Sequence, residues 1–207
     1  PHWIMVPFAR HDEWWRSGLA GGIPAAISNA LAAVFLFAAL RRVFACSLAA
    51  FTGLVLFLAN PNALYLGSIP MTEPFFALSL TSLFYFTTIP RIWAAALAGL
   101  ALMAGTLVRY EAWFLIPFVF AYLLVRNWRH ALLFGSLASL GPLYWLGHNY
   151  FFYGDALEFY RGEWSAKAIY ERALAKRMER YPGDHDWAAA WFYFRSAAEL
   201  VAGAPLV

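Results

Sequence analysis

Charged residues are scarce in this chain of 207 residues, since 13% are Asp, Glu, Lys or Arg while 62% are hydrophobic. Soluble domains average about 25% charged and 45–50% apolar residues. This scarcity excludes an ordinary soluble domain and predicts an integral membrane protein. Six long segments lack charged residues altogether: 17–40, 43–72, 74–90, 92–108, 112–125 and 131–147.

Motifs of several common site classes are also lacking. Cys46 is the single cysteine, so an intrachain disulfide cannot form. The five histidines are isolated, and neither His-x-x-x-His nor Cys-x-x-Cys spacing occurs, so the sequence offers no metal motif. A Gly-rich phosphate loop and a Gly-x-Ser-x-Gly nucleophile motif are missing as well. The net charge of +3 comes from arginines spread between apolar segments, which argues against a nucleic-acid partner.

The apolar segments predict an all-α fold, a polytopic transmembrane helix bundle. Gly and Pro inside the segments and the lack of period-two alternation favour helices over a barrel. Residues 1–154 form the predicted transmembrane core, 155–187 an external loop, and 188–207 the start of a further apolar segment. The chain begins at Pro1 and stops inside an apolar run, so we expect an internal fragment of a larger protein. Six spans are expected, near residues 18–40, 44–58, 74–89, 92–108, 112–125 and 131–147.

Arginines in the turns between these spans predict the orientation. Glu73, Arg109, Glu111 and everything after His148 fall on one side when the turns are numbered in order. We expect this side to be the outer face of an inner or plasma membrane. The opposite side is cytoplasmic by the positive-inside rule, because it collects Arg41, Arg42, Arg91, Arg126 and Arg129.

Arg109 and Glu111 separate two apolar segments that barely reach across a hydrocarbon core of roughly 30 Å. We therefore expect both residues at the membrane boundary, facing a partner or a water-filled cavity, because ionisable groups are costly there. An Arg that snorkels to the interface beside an incidental Glu is the plainer alternative. Glu73 has a plain alternative too, since the helix dipole stabilises a carboxylate at the start of a helix.

The candidate substrate-binding residues combine an Arg, carboxylates and aromatic rings. An Arg in a partly desolvated cleft binds phosphate or carboxylate through paired hydrogen bonds. Carboxylates accept hydrogen bonds from hydroxyls and aromatic rings offer flat faces, so together they suit a sugar. Phosphate and sugar at a membrane surface indicate a lipid-linked sugar. The candidates are Glu73, Arg109, Tyr110, Glu111, His148, Asn149 and Asp155.

Two further features lie outside this group. Asp12 and Glu13 are weak candidates for paired catalytic carboxylates, and solvation in an interfacial loop is the more common role of such residues. Residues 163–180 have the pattern of an amphipathic helix, ended by Pro182 and Gly183, that lies on a headgroup surface or over a cleft. A solvated helix of an ordinary external loop explains the same pattern.

A series of short motifs, together with short spans between Arg-marked turns, resembles the GT-C superfamily of integral membrane glycosyltransferases. The resemblance is to the protein O-mannosyltransferase and lipid A aminoarabinose transferase-like branch, which is glycosyltransferase family 39-like. The motifs are a proline-rich start at residues 1–8, Asn60-Pro61 with Pro70-Met71-Thr72-Glu73-Pro74-Phe75, Gly99-Leu100-Ala101 with Thr106-Leu107-Val108-Arg109-Tyr110-Glu111-Ala112-Trp113, and His148-Asn149-Tyr150-Phe151-Phe152-Tyr153-Gly154-Asp155-Ala156-Leu157.

The resemblance implies that the six spans are helices two to seven of a seven-helix module. Arg109 would help to hold the phosphate of a polyprenyl-phosphate sugar, and Glu73 and Glu111 would shape the acceptor or sugar pocket. Residues 148–155 would open the loop that covers the site. The family's acidic base lies in the first external loop, so we expect it upstream of Pro1, and the catalytic residue of this chain stays unknown.

The implied reaction is inversion, in which a carboxylate deprotonates an acceptor hydroxyl that then displaces the lipid phosphate. The expected partners are membrane lipid, the polyprenyl-phosphate sugar and a protein, lipid or glycan acceptor, with no nucleic acid. The resemblance implies no cofactor beyond the lipid-linked donor and leaves metal dependence open. The alternative is a polytopic transporter or flippase in which Arg109 and Glu111 form an outer gate.

Overall fold

The computed structural model describes residues 2–176, 178–180 and 183–202, with side chains up to residue 199. Throughout these residues the regular structure is helical and no β-strand occurs, which confirms the all-α prediction. The helices are α1 (His2–Ala9), α2 (Asp12–Ser17), α3 (Leu19–Phe44), α4 (Ser47–Leu58), α5 (Pro61–Ser68), α6 (Glu73–Thr87), α7 (Ile92–Thr106), α8 (Leu115–Arg126), α9 (Trp128–Tyr153), α10 (Glu158–Arg161), α11 (Ala166–Ala175) and α12 (Trp187–Ala202), with a 3₁₀ turn at Tyr110–Phe114.

The chain divides into two compact units, Pro1–Tyr144 and Trp145–Val207, and the division falls within α9. In the first unit α3 packs against α4 and α6, and α6 packs against α7. A core cluster in this unit includes Leu102 and Phe134, the largest fully buried side chains. The first unit therefore holds the packed helices that carry Glu73 and Arg109.

Small residues let the helices of the first unit approach closely. A Cβ added at Gly99 in α7 would lie 2.9 Å from the carbonyl oxygen of Phe134 and 2.9 Å from the Cβ of Leu137, both in α9. Ser79 in α6 donates a hydrogen bond of 2.5 Å to the carbonyl oxygen of Ala101 in α7. Close approach through glycine and a serine hydroxyl is typical of helix packing in membrane proteins.

One helix of the described part of the chain, α3, is long and apolar enough to cross a membrane. Its 26 residues extend about 39 Å, against a hydrocarbon core of about 30 Å. Helices α4 and α5 meet at 61° and would form a second candidate if the bent pair is one span. The first predicted span, 18–40, thus corresponds to α3, which ends four residues later, at Phe44.

The other predicted spans are helical, but none is both long and apolar enough to cross a membrane as a single helix. Helices α6 and α7 have 15 residues each, and α8 has 12, so they extend roughly 18–22 Å. Helix α9 has 26 residues, but polar side chains stand near both of its ends. The structure therefore supports association with a membrane through α3, and the count of six spans stays a prediction.

Three segments differ from their sequence-based predictions in detail. Helix α5 lies between the expected spans at 44–58 and 74–89. The Asn60 side chain accepts hydrogen bonds from the amides of Asn62 and Ala63 and so caps this helix. The expected span at 112–125 begins as a 3₁₀ turn before α8. The expected helix at 163–180 is found as α11, capped by Ser165, while Arg177, Tyr181, Pro182 and residues 203–207 lie outside the described residues.

Candidate functional site

Arg109 stands where α7 ends, and Glu73 stands where α6 begins. The amide of Arg109 donates a hydrogen bond of 2.9 Å to the carbonyl oxygen of Gly105, which closes the last turn of α7. Arg109 itself is extended, and the 3₁₀ turn follows at once. Because a short turn joins the end of α6 to the start of α7, the opposite ends of the two helices, with Glu73 and Arg109, lie side by side.

The guanidinium of Arg109 bridges two carboxylates. Its Nη1 lies 3.1 Å from Oε1 of Glu73, a residue 36 positions away in the sequence. Its Nη2 and Nε lie 2.9 Å and 3.3 Å from Oε1 of Glu111. The Cζ atom also lies 6.0 Å from the ring centroid of Phe76, at the limit of a cation–π contact. Arg109 is thus fixed by contacts with α6 on one side and the 3₁₀ turn on the other.

These contacts favour the charged forms of both partners. The hydrogen bond from Arg109 lowers the pKa of Glu111 below its ordinary value, and the hydrogen bond with Glu111 raises the pKa of Arg109 further. Both groups are therefore ionised at neutral pH. The Glu111 side chain is 62% exposed, so solvent screening limits what the pair adds to stability to about 1 kcal/mol or less.

Replacing Glu111 with Gln should remove a pH-dependent part of the stability. Because the pKa of Glu111 is lowered in the folded state, its contribution is complete above the ordinary value of 4.5 and is lost as the pH falls through the lowered value. We expect the variant to be less stable by at most about 1 kcal/mol at pH 7, and we expect this difference to shrink as the pH falls below 4.5. Denaturant unfolding at both pH values measures the difference, with Glu13→Gln as an exposed control. An equal difference at pH 7 and pH 3 would contradict the assignment.

A cleft of about 250 Å³ lies beside Glu73. Its polar lining comes from Asn29, Asn60 and Glu73, and its apolar lining includes Phe57 and Leu66. Oε2 of Glu73 is buried and has no hydrogen-bond partner among the described residues, although an ionised carboxylate offers about four acceptor positions. Because a buried oxygen without a partner is costly, a movement of the Glu73 side chain that brings Oε2 to a donor would be favourable.

A second cavity of the first unit is a large apolar groove of about 520 Å³. Helices α1, α3, α6 and α7 contribute to its lining, which includes Phe35, Phe75 and Leu100. Val108 also lines the groove, and the next residue is Arg109. The groove therefore reaches the chain neighbour of Arg109.

No protein-family model, curated protein or solved structure matches the chain. The function must therefore be argued from the residues and their geometry.

A second polar contact lies at the other end of α6. Nε of Arg42, near the end of α3, donates a hydrogen bond of 3.0 Å to Oγ1 of Thr88, the residue that follows α6. Glu73 is the first residue of the same helix, which has 15 residues and extends about 22 Å. The contacts of Arg42 and Arg109 thus mark opposite ends of α6.

The structure brings together three of the predicted substrate-binding residues, namely Glu73, Arg109 and Glu111. Tyr110 lies next to them in the chain, and its ring makes an edge contact with Trp113 at 5.7 Å between centroids. Trp113 in turn donates from Nε1 to the carbonyl oxygen of Thr106, at 3.1 Å. These aromatic contacts fix the 3₁₀ turn against the end of α7.

The remaining predicted residues belong to other parts of the chain. His148, Asn149 and Asp155 are in the second unit, where Asp155 accepts a hydrogen bond from the amide of Leu157 and lies 3.8 Å from Arg161. Asp12 is exposed and pairs with Arg16 at 2.8 Å, an ion pair of adjacent helical turns. In the described ranges, no group of three or more His, Cys, Asp or Glu side chains could hold a metal ion.

Sequence reasoning missed Asn29, Asn60 and Phe76 as parts of the site. Asn29 offered a signal, because a polar amide inside a charge-free predicted span is costly and is usually functional. Asn60 also offered a signal, because Asn followed by Pro is typical of the start of a helix. Phe76 carried no signal, since aromatic residues make up 19% of the chain.

Proposed function

We propose that this chain is part of a membrane glycosyltransferase that moves a sugar from a polyprenyl-phosphate donor to an acceptor hydroxyl on the outer face. The observation that carries the proposal is the position of Arg109. Arg109 forms ion pairs with Glu73 and Glu111. Glu73 lines the cleft, and Val108, the residue before Arg109, lines the apolar groove. The proposal places phosphate, lipid and sugar at these three adjoining positions.

Arg109 would bind the phosphate of the donor. Its guanidinium is planar, permanently charged and able to give two parallel hydrogen bonds to phosphate oxygens. When the bond between the sugar and the phosphate breaks, negative charge develops on the phosphate, and a fixed cation stabilises it. Glu73 and Glu111 hold the guanidinium in place before the donor arrives, which reduces the cost of ordering it.

The two cavities suit the other parts of the reactants. The groove is lined by apolar and aromatic side chains, which bury an isoprenoid chain favourably. The cleft is lined by Asn29, Asn60 and Glu73, whose polar side chains suit the hydroxyls of a sugar or acceptor. In the proposed reaction the acceptor oxygen forms the new bond to the anomeric carbon, and the electron pair of the old bond leaves with the phosphate.

The surroundings of the site fit a lipid setting. Helix α3 is long enough to cross a bilayer, and large apolar side chains of α8 are exposed, with Val125 at 90% and Phe118 at 71%. Arg42 and Arg109 mark the two ends of α6. The positive-inside rule favours the Arg42 end as cytoplasmic and the Arg109 end as outer, within a bundle of about six spans.

A transport protein with an outer gate is the second candidate. The observation that favours it is that Arg109 forms ion pairs with two carboxylates. Such ion pairs can block a path until a substrate separates the charges. The two candidates differ in their product. A transferase makes a covalent glycoside, whereas a transporter moves its substrate unchanged.

Changing Glu73 to Gln tests the proposed transferase. The isosteric amide cannot replace both the ion pair with Arg109 and the acceptor at Oε2, so transfer should fall by about 10- to 100-fold. The intact protein in proteoliposomes receives polyprenyl-phosphate carrying a radiolabelled sugar, and labelled acceptor is counted. Glu13→Gln, an exposed change outside the site, should leave transfer unchanged. Label that crosses the vesicle membrane without any covalent product would replace the transferase by the transporter.

A further inference from the structure

The second unit contains a separate cleft of about 210 Å³. Its lining includes Trp145, His148 and Asn149 from the end of α9, Glu158 from α10, and Trp164 from the turn before α11. The roles proposed above for Arg109 and its partners involve none of these residues. The function of this cleft therefore needs a separate explanation.

Aromatic faces form much of this lining. The rings of Trp145 and His148 are stacked, with centroids 5.5 Å apart and planes inclined by 2°. Trp164 is 78% exposed, yet its ring is held by the guanidinium of Arg172, 5.0 Å from the centroid. Arg172 in turn donates to the carbonyl oxygen of Glu163 at 2.6 Å. A large exposed ring that is held in place is a prepared contact surface.

Two polar side chains of the cleft, Asn149 and Glu158, can pair with hydroxyl groups. Asn149 is 4% exposed, and its Nδ2 donates to the carbonyl oxygen of Trp145, which leaves its amide oxygen as an acceptor. Glu158 supplies a carboxylate. Lys and Arg are absent from the described residues that line the cleft, and the guanidinium of Arg172 lies against one face of the Trp164 ring.

We propose that this cleft binds one sugar ring of an uncharged saccharide. The C–H face of a pyranose carries partial positive charge and packs on the negative face of an aromatic ring. Its hydroxyls pair with the carboxylate of Glu158 and the amide of Asn149. The volume is that of about seven water molecules, which matches one ring rather than an oligosaccharide.

A quaternary ammonium group is the main competing ligand, because aromatic rings and a carboxylate also attract cations. The neutral amide of Asn149 favours the saccharide, since a quaternary ammonium has no group that can donate to it or accept from it. The site differs from the proposed donor site at Arg109. Binding here can therefore be measured without any transfer reaction, and failure of one proposal leaves the other standing.

Saturation-transfer NMR on the intact protein tests the proposal. The protein is kept in a polyoxyethylene detergent, which lacks sugar and choline, and is probed with methyl glucoside, methyl mannoside, methyl galactoside and choline. We expect at least one glycoside to receive saturation at its ring C–H protons. The Trp164→Ala variant should bind it about fivefold or more weakly. Trp187→Ala, which removes another exposed Trp, is the matched control and should bind normally.

The Glu158→Gln variant separates the two ligand classes. An amide still pairs with hydroxyls, so a saccharide should bind only a few-fold more weakly, whereas a cation should lose its binding. Thermal unfolding of each variant checks that the fold is retained. Binding of choline alone, or no glycoside signal at millimolar concentrations in the parent protein, would overturn the proposal.

Discussion

Sugar transfer should fall by at least about a hundredfold when Arg109 is changed to Ala, while the protein still inserts into the membrane. In the proposed reaction, the change removes the cation that stabilises charge on the leaving phosphate. It also leaves Glu73 and Glu111 without the guanidinium that bridges them, so the site keeps two negative charges facing an anionic donor. The measurement is the initial rate of labelled sugar transfer from polyprenyl-phosphate in membranes that contain equal amounts of each protein.

Two further variants define what Arg109 contributes. Arg109→Lys keeps the charge but loses the paired hydrogen bonds, so we expect a rate between those of the parent and the Ala variant. Arg126→Ala is the matched control, because Arg126 is the last residue of an apolar helix, α8, and contacts an aromatic ring, Tyr122, at 4.9 Å. Its rate should equal that of the parent. Full activity of Arg109→Ala would remove Arg109 from the mechanism and with it the main support for the transferase.

Replacing Gly99 with Leu should prevent the normal packing of α7 against α9. Even a single Cβ at this position would come within 2.9 Å of backbone in α9, and backbone cannot rotate away as a flexible side chain can. We expect a loss of about 3 kcal/mol or more in the free energy of unfolding, which is at the upper end of overpacking effects. Unfolding by a denaturing detergent, followed by circular dichroism, measures the loss.

Gly147→Leu provides the comparison for this change. Gly147 is also in α9, and no other group lies within 4 Å of a Cβ added there. The variant should therefore unfold like the parent, within about 0.5 kcal/mol. If both substitutions destabilised the protein equally, the cause would be a general effect of the added apolar side chain rather than contact between the helices.

The helices themselves were largely predictable, because charge-free runs bounded by arginines are a strong local signal. The predicted span at 74–89 corresponds to α6, and the run at 92–108 corresponds to α7. Whether each helix is long enough to span a membrane was less predictable. Proline and the 3₁₀ turn divide apolar segments into short helices, and apolar composition alone does not reveal where each helix bends.

The site was partly predictable for a different reason. Alternation of turns placed Glu73 on the same side as Arg109, and the structure pairs these residues across 36 positions. The sequence did not predict that Arg109 bridges both Glu73 and Glu111, because contacts of this kind depend on the packing of α6 against α7. Trp164 gave little information by itself, because aromatic residues make up 19% of the chain.

The bridge at Arg109 has a consequence for the balance of charge in the site. One guanidinium faces two carboxylates, so the cluster has a net charge of −1 when all three groups are ionised. A phosphate diester that enters this cluster adds another negative charge, and like charges in a partly desolvated site cannot all remain ionised at low cost. Either one carboxylate swings out to water or it takes up a proton as the phosphate binds. In the second case, anion binding is coupled to proton uptake and becomes stronger as the pH falls.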